Sequence, residues 1–159
     1  MNEVTVRVRG VREAQDSFKA LEARIEMAMY NTTRESTHLV EKAAKENFQS
    51  RKGGRKDPAE PPRPTLRTGN LRNSIHSTTP VRHGFASYSG KVGPTVIYGR
   101  RVELGFNGMV SGYTTKKGTV VQPYMAHTRE FPYLRPAFED NRDNIQAIWA
   151  NNVRKAVRV

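Results

Sequence analysis

The side chains that most often carry out chemistry are scattered along this sequence. Its four histidines stand alone, at positions 38, 76, 83 and 127. None has a second histidine at a spacing that would hold a metal ion. Ser36 and Ser74 each precede a histidine by two residues, but neighbours this close on a helix or strand do not face each other usefully. We therefore expect structural or exposed histidines and no enzymatic activity.

Patterns that bind phosphate or metal are also missing from the sequence. The glycine pairs at 90–93 and 105–108 are predicted turns, because no Gly-x-Gly-x-x-Gly lies there between a strand and a helix. The acids Glu139, Asp140 and Asp143 fall in the first half of a predicted helix, where the helix dipole favours negative charge. The absence of cysteine excludes disulfide bonds and cysteine-ligated zinc. We expect no cofactor and no metal.

A long amphipathic segment dominates the elements that remain. Apolar or small residues recur at steps of three and four from Val11 to Phe48, which predicts a helix of roughly 55 Å if it is unbroken. A domain of this size is only about 30–40 Å across. The helix must therefore overhang its domain or break, and Asn31-Thr32-Thr33 contains its weakest helix formers.

An overhanging apolar stripe needs a surface to cover it, and a second copy of the chain is the simplest source. We expect each long helix to pack on the adjacent subunit. The candidate residues of this subunit interface are Phe18, Leu21, Ile25, Met29, Leu39 and Val40.

The other segments predict short strands, turns and two further helices. Strands are expected at 3–9, 76–81 and 85–92, with a turn at His83-Gly84. A hairpin is expected about the Lys116-Lys117-Gly118 turn. Helices are expected at 98–104 and 136–156. Glu103 falls at the unfavourable end of its helix dipole, so we expect Arg100 or Arg101 as its cationic partner. The prediction is one α+β domain, residues 1–159, with the long N-terminal helix and the C-terminal helix packed on a small, mainly antiparallel sheet.

The charge balance is strongly basic. Lysine and arginine number 27 against 15 acidic residues, which gives a net charge of +12 and favours polyanionic partners. Two segments, 49–67 and 106–130, are predicted to be extended, exposed loops. The candidate residues that contact DNA, a lumen or a partner are Arg51, Lys52, Arg55, Lys56, Arg63, Lys116 and Lys117.

Neither a membrane span nor a signal peptide is indicated by the sequence. No apolar run approaches the roughly 20 residues that a span needs. The first residues lack the apolar region of a signal peptide. We expect no membrane partner and a protein that is made in the cytoplasm.

Four segments follow one another in a recognisable order. A short strand ends at Gly10 before the long helix. Residues 68–75 read Thr-Gly-Asn-Leu-Arg-Asn-Ser-Ile, 98–105 read Tyr-Gly-Arg-Arg-Val-Glu-Leu-Gly, and 132–138 read Pro-Tyr-Leu-Arg-Pro-Ala-Phe. This ordered set resembles the head–tail joining, or tail-completion, proteins (neck, minor tail components) of long-tailed bacteriophages. Two departures are Gly99, where that family commonly has alanine, and Leu104, where it commonly has an aromatic residue.

The resemblance implies a structural virion protein of the neck or tail, assembled in the host cytoplasm. It implies a homo-oligomeric ring, commonly a hexamer, between the head-completion or connector proteins and the tail tube or tail terminator protein, with genomic DNA passing through. We add the hypothesis that segments 49–67 and 106–130 order only on docking to these partners. The alternatives are a sequence-independent, basic nucleic-acid-binding protein, whose affinity would fall steeply with salt, and a small nuclease.

Overall fold

The computed structural model describes residues 9–49, 63–66, 68–116 and 118–158, so the strand predicted at 3–9 lies almost wholly outside the described residues. The fold is α+β, as the sequence predicted. In chain order its elements are α1 (Val11–Glu46), α2 (Asn70–Asn73), β1 (Ile75–Ser77), β2 (Val81–Gly84), β3 (Ser87–Ser89), β4 (Val92–Pro94), α3 (Gly99–Leu104), β5 (Phe106–Val110), β6 (Tyr113–Thr114), β7 (Val120–Val121), β8 (Tyr124–Thr128), α4 (Leu134–Glu139) and α5 (Arg142–Val157).

The strands pair in four antiparallel, two-stranded ladders within the described chain: β1–β4, β2–β3, β5–β8 and β6–β7. The expected single small sheet is therefore divided into separate pairs. The turn predicted at His83-Gly84 is displaced, because both residues belong to β2 and the chain reverses at Phe85-Ala86 instead. The hairpin predicted about Lys116 is confirmed, and the β5–β8 ladder lengthens it.

Helix α1 is continuous through Asn31-Thr32-Thr33, so of the two alternatives, an overhang or a break, the break does not occur. Thr32 is buried, and its hydroxyl oxygen accepts a 3.2 Å hydrogen bond from the Asn152 side chain on α5. The Thr33 hydroxyl donates to the Met29 carbonyl oxygen at 3.0 Å. These tertiary and local bonds outweigh the weak helix propensity of the threonines.

The predicted C-terminal helix is two helices. The chain leaves the helical path at Asp140-Asn141, between α4 and α5. The Asn141 side chain donates to the Ala137 carbonyl oxygen at 2.9 Å, which closes the end of α4. An asparagine is well suited to such a stop, because its side chain competes for backbone hydrogen bonds.

The core lies between the C-terminal half of α1 and the elements that follow it. Its buried members are Val40, Ala44, Ile75, Tyr133 and Ala137. Helix α5 runs antiparallel to α1: Ile145 packs on this core, whereas the Arg24 side chain donates to the carbonyl oxygen of Arg158 at the far end. The part of α1 before Arg24 therefore extends past the end of α5, by about 20 Å for 13 residues.

A parallel bridge between Gln49 and Thr65 closes the base of the segment that follows α1. The Gln49 N–H donates to the Pro64 carbonyl oxygen at 3.0 Å, and the Leu66 N–H donates to the Gln49 carbonyl oxygen at 2.8 Å. Residues 64–66 therefore lie beside the end of α1, directly before the chain enters α2.

Candidate functional site

Three of the four resemblance segments, residues 68–75, 98–105 and 132–138, meet at one place, which we call the motif corner. Ile75 and Tyr133 are fully buried there in one apolar cluster. The Tyr133 hydroxyl donates to the Gly99 carbonyl oxygen at 3.2 Å, and burial raises the pKa of this phenol above its ordinary value. The motif corner therefore joins segments that are far apart in the sequence.

Glu103 is the buried charge of the motif corner. Its carboxylate accepts hydrogen bonds from the backbone N–H groups of Tyr133 (2.8 Å), Leu134 (3.0 Å) and Arg135 (2.9 Å). The partner expected from the sequence, Arg100 or Arg101, is not the one observed. The N–H groups at the start of α4 bind the carboxylate instead. These groups have no partner within their helix, and the helix dipole also favours an anion there. Glu103 thus fixes α4 to the end of α3.

Gly99 allows two backbones to approach closely in the motif corner. A Cβ atom at this position would lie 2.8 Å from the Pro94 Cβ, and closer still to its Cγ. It would also lie 3.2 Å from a methyl group of Leu71. Glycine at position 99 therefore leaves room for Pro94, which a larger residue would overlap.

Two carboxylates of α1 hold the short ladders against the helix. Glu26 accepts bonds from the Tyr88 hydroxyl (2.6 Å) and the Arg82 guanidinium (2.6 Å), and these bonds lower its pKa. Burial raises the pKa of Glu41, but bonds from Lys45 and from the Ser77 hydroxyl and N–H outweigh that effect and lower it to about 2. Both acids are structural.

The histidines do not come together. The His38 Nδ1 lies 3.2 Å from the Ser77 hydroxyl, and the His83 Nε2 lies 2.6 Å from the Ser89 hydroxyl. Within the described ranges, no group of three or more metal-ligating side chains is found.

The six interface candidates divide according to their position along α1. Phe18 is 66% exposed and lies on the part of α1 that extends past the end of α5. Leu21, Ile25, Met29 and Leu39 are half-buried. Val40 is buried in the core of its own chain, so its side chain already has a partner. We name residues 11–24 the helix arm.

The basic candidates are only partly placed. Arg63 is exposed beside the Gln49–Thr65 bridge, and Lys116 is exposed at the tip of the β6–β7 hairpin. Arg51, Lys52, Arg55, Lys56 and Lys117 lie outside the described residues. The two residues that the structure places therefore lie on different segments, one at the bridge and one in the hairpin.

The sequence predicts an exposed loop with a hairpin at 106–130, and we name its part 106–128 the hairpin arm. Most of this arm is paired in the β5–β8 and β6–β7 ladders, so it holds more strand than expected, and its ordering on docking stays a prediction. Met109 and Met125 face each other across the ladder and are 63% and 55% exposed. An apolar pair on an exposed ribbon is a surface that sequence analysis missed, although its alternation was readable.

The sequence analysis also missed how the charge is distributed. Nine basic side chains are exposed between residues 63 and 135 in the described part, against one exposed acid, Glu130. The nine are Arg63, Arg72, Arg82, Lys91, Arg100, Arg101, Lys116, Arg129 and Arg135. Helix α1 carries seven acids and six basic residues. A count by segment, instead of over the whole chain, reveals this segregation.

The chain matches no protein-family model, and no curated protein or solved structure is significantly similar to it. Among the helices that the structure describes, none has the length and apolar character of a membrane span.

Proposed function

We propose that this protein is a structural subunit of the phage neck that acts in tail completion and head–tail joining. In this proposal the subunits form a ring, with head-completion or connector proteins on one side and the tail tube or tail terminator protein on the other, and genomic DNA passes through it. The observation that carries the proposal is the helix arm. An amphipathic helix that extends past its own core, with Phe18 two-thirds exposed, suits a subunit that is completed by its neighbours.

Light scattering on the purified protein, at low and high salt and with and without a short DNA duplex, tests this proposal. A ring of defined mass, or a monomer indifferent to the duplex, is the expected outcome. Phe18→Asp should dissociate the ring, whereas Met27→Asp should not, because Met27 is 61% exposed on the opposite face of α1. A monomer that binds the duplex tightly and releases it as salt rises would overturn the proposal.

A sequence-independent nucleic-acid-binding protein is the second candidate. The nine exposed basic side chains between residues 63 and 135 favour it, because contacts to phosphates require accessible cations. The two candidates differ in the salt dependence of affinity for free DNA: steep for a nucleic-acid-binding protein, weak for a lumen that only has to let DNA slide.

A further inference from the structure

One face of the β5–β8 ladder carries two thioethers and one imidazole. The ladder pairs Met109 with Met125 and Asn107 with His127. Residues that pair across an antiparallel ladder lie on the same face, and so do residues two positions apart on one strand. All four positions are exposed, whereas the pair between them is half-buried. The two methionines and the histidine therefore lie on one accessible face of the hairpin arm.

The spacing of these three positions permits their side chains to meet at one point. Directly opposed residues of a ladder have Cβ atoms about 4.5–5.5 Å apart, and diagonal neighbours are about 7–8 Å apart. The first spacing applies to Met109 and Met125, and the second applies to Met109 and His127. A methionine side chain has three rotatable bonds, and bonds from a metal ion such as zinc to sulfur or nitrogen are about 2.0–2.3 Å long. Two sulfurs and one ring nitrogen are therefore close enough to bind the same ion above the ladder.

The chemistry of these ligands determines which ion suits them. Thioethers are soft, uncharged ligands that favour Cu(I), and imidazole also binds copper. Magnesium, calcium and manganese prefer oxygen ligands such as carboxylates, but the sequence contains no acidic residue from Phe106 to Thr128. Zinc is bound by thiolates, imidazoles and carboxylates, and within the described ranges histidines and acidic residues form no group of three. The set of ligands thus favours a soft, monovalent cation.

We propose that Met109, Met125 and His127 form a binding site for one Cu(I) ion. Because the ligands belong to both strands, the bound ion connects β5 to β8 across the exposed face of the ladder. All three ligands lie within one chain, so the site depends neither on the proposed ring nor on a partner protein.

Calorimetric titration with Ag(I), a soft monovalent ion that resists oxidation in air, tests the site in a chloride-free buffer. We expect one bound Ag(I) per chain. Met109→Leu and Met125→Leu keep a similar side-chain volume, and each should weaken binding at least about tenfold. Met27→Leu is the matched control, because Met27 is 61% exposed on α1, and it should leave the affinity unchanged.

The imidazole and the choice of ion are tested in the same titration. His127→Gln should weaken Ag(I) binding, whereas His76→Gln, at an exposed position of β1, should not. Zinc should give no binding that Met109→Leu removes, since thioethers are not among its usual ligands.

Nuclear magnetic resonance locates the bound ion independently of affinity. The chain has five methionines, so their methyl signals are few enough to assign with the leucine variants. Ag(I) should shift the signals of Met109 and Met125 and leave those of Met27 and Met29 in place.

Three outcomes would overturn the proposed site: equal shifts of all methionine signals, an affinity that the three ligand variants leave unchanged, or one Ag(I) for two chains together with a doubled mass in light scattering. The last outcome would place the ion between copies. Each of these results leaves the neck proposal untouched, and the presence or absence of a ring does not decide whether the site exists.

Discussion

At the scale of single residues, three carboxylates bind elements of the fold to one another through hydrogen bonds. Glu26 and Glu41 attach the short ladders to α1, and Glu103 attaches α4 to α3. The sequence predicted a cationic partner for Glu103, Arg100 or Arg101, and this was wrong, since three backbone N–H groups bind the carboxylate. It could not identify these donors, because the N–H groups of a helix start about 30 residues away carry no side-chain signal.

Glu103→Gln is expected to lower the free energy of unfolding by about 1–3 kcal/mol, because the amide has one accepting oxygen where the carboxylate accepts three backbone N–H groups. Urea unfolding measures this change. Glu130→Gln is the control: Glu130 is exposed, and its change should stay within about 0.5 kcal/mol. Equal effects of the two substitutions would contradict the capping role of Glu103.

Gly99→Ala is expected to destabilise the fold by about 1–3 kcal/mol, since the added methyl group overlaps Pro94. Gly93→Ala is the matched control in the same segment, because a Cβ atom added there would have nothing within 4 Å. Thermal unfolding compares the two variants. A Gly99→Ala variant as stable as Gly93→Ala would show that Pro94 moves aside at no cost.

The pH dependence of stability should contain a contribution from Glu41. Its pKa falls from 4.5 to about 2 in the folded chain, so the contribution is present above about pH 4.5 and is lost as the pH falls towards 2. The full contribution corresponds to about 3 kcal/mol, of which about 2 kcal/mol is lost between pH 7 and pH 3. Urea unfolding at pH 7 and pH 3 should show a smaller loss for Glu41→Gln than for the unaltered chain, whereas Glu46→Gln, at an exposed position of the same helix, should behave like the unaltered chain.

At the scale of elements, the fold depends most on α1. Its length predicted either an overhang past the domain or a break, and the helix is continuous from Val11 to Glu46 and extends past α5. The alternative, a break at Asn31-Thr32-Thr33, does not occur, because α5 supplies Asn152 to bond Thr32, which the sequence does not show. Tertiary contacts that stabilise a weak helical stretch come from residues far along the chain.

The helix arm should exchange its amide hydrogens faster than the rest of α1. Residues 11–20 are all exposed, whereas Ala28, Val40 and Ala44 are buried. A helical end with little tertiary packing frays, so we expect exchange faster by about tenfold or more in 11–20 than in 28–44. Hydrogen exchange read by mass spectrometry on the monomer measures this. Uniform protection along α1 would show that the arm has a partner within its own chain.

At the scale of the whole molecule, the composition gives the sign of the net charge, and the structure shows which segments carry the exposed charges. Helix α1 is nearly neutral, whereas the described residues between 63 and 135 carry nine exposed cations against one exposed acid. The α+β class followed from the helical and alternating patterns. The division of the strands into four pairs did not, because pairing depends on long-range contacts that short alternating runs leave open.

Reversing three cations in the basic part should weaken retention on a heparin column more than reversing three on α1. The first variant is Arg72→Glu, Arg100→Glu and Arg129→Glu, and the control is Arg12→Glu, Lys19→Glu and Lys42→Glu, all at exposed positions. Both variants lose the same net charge. A lower eluting salt for the first is expected, since exposed cations with few acids around them in the sequence contribute more to binding of polyanions than cations offset by acids. Equal elution would mean that only net charge matters.

The bridge between Gln49 and Thr65 makes the fold tolerant of insertion. Because the chain returns to its point of departure there, the residues between can change in number while α1 and α2 keep their places. Doubling the length of such an excursion costs only about 0.6 kcal/mol of closure entropy. A fluorescent label or an affinity peptide inserted here is therefore expected to leave the fold of α1 and α2 intact, so that any loss of assembly would point to contacts made by this segment itself.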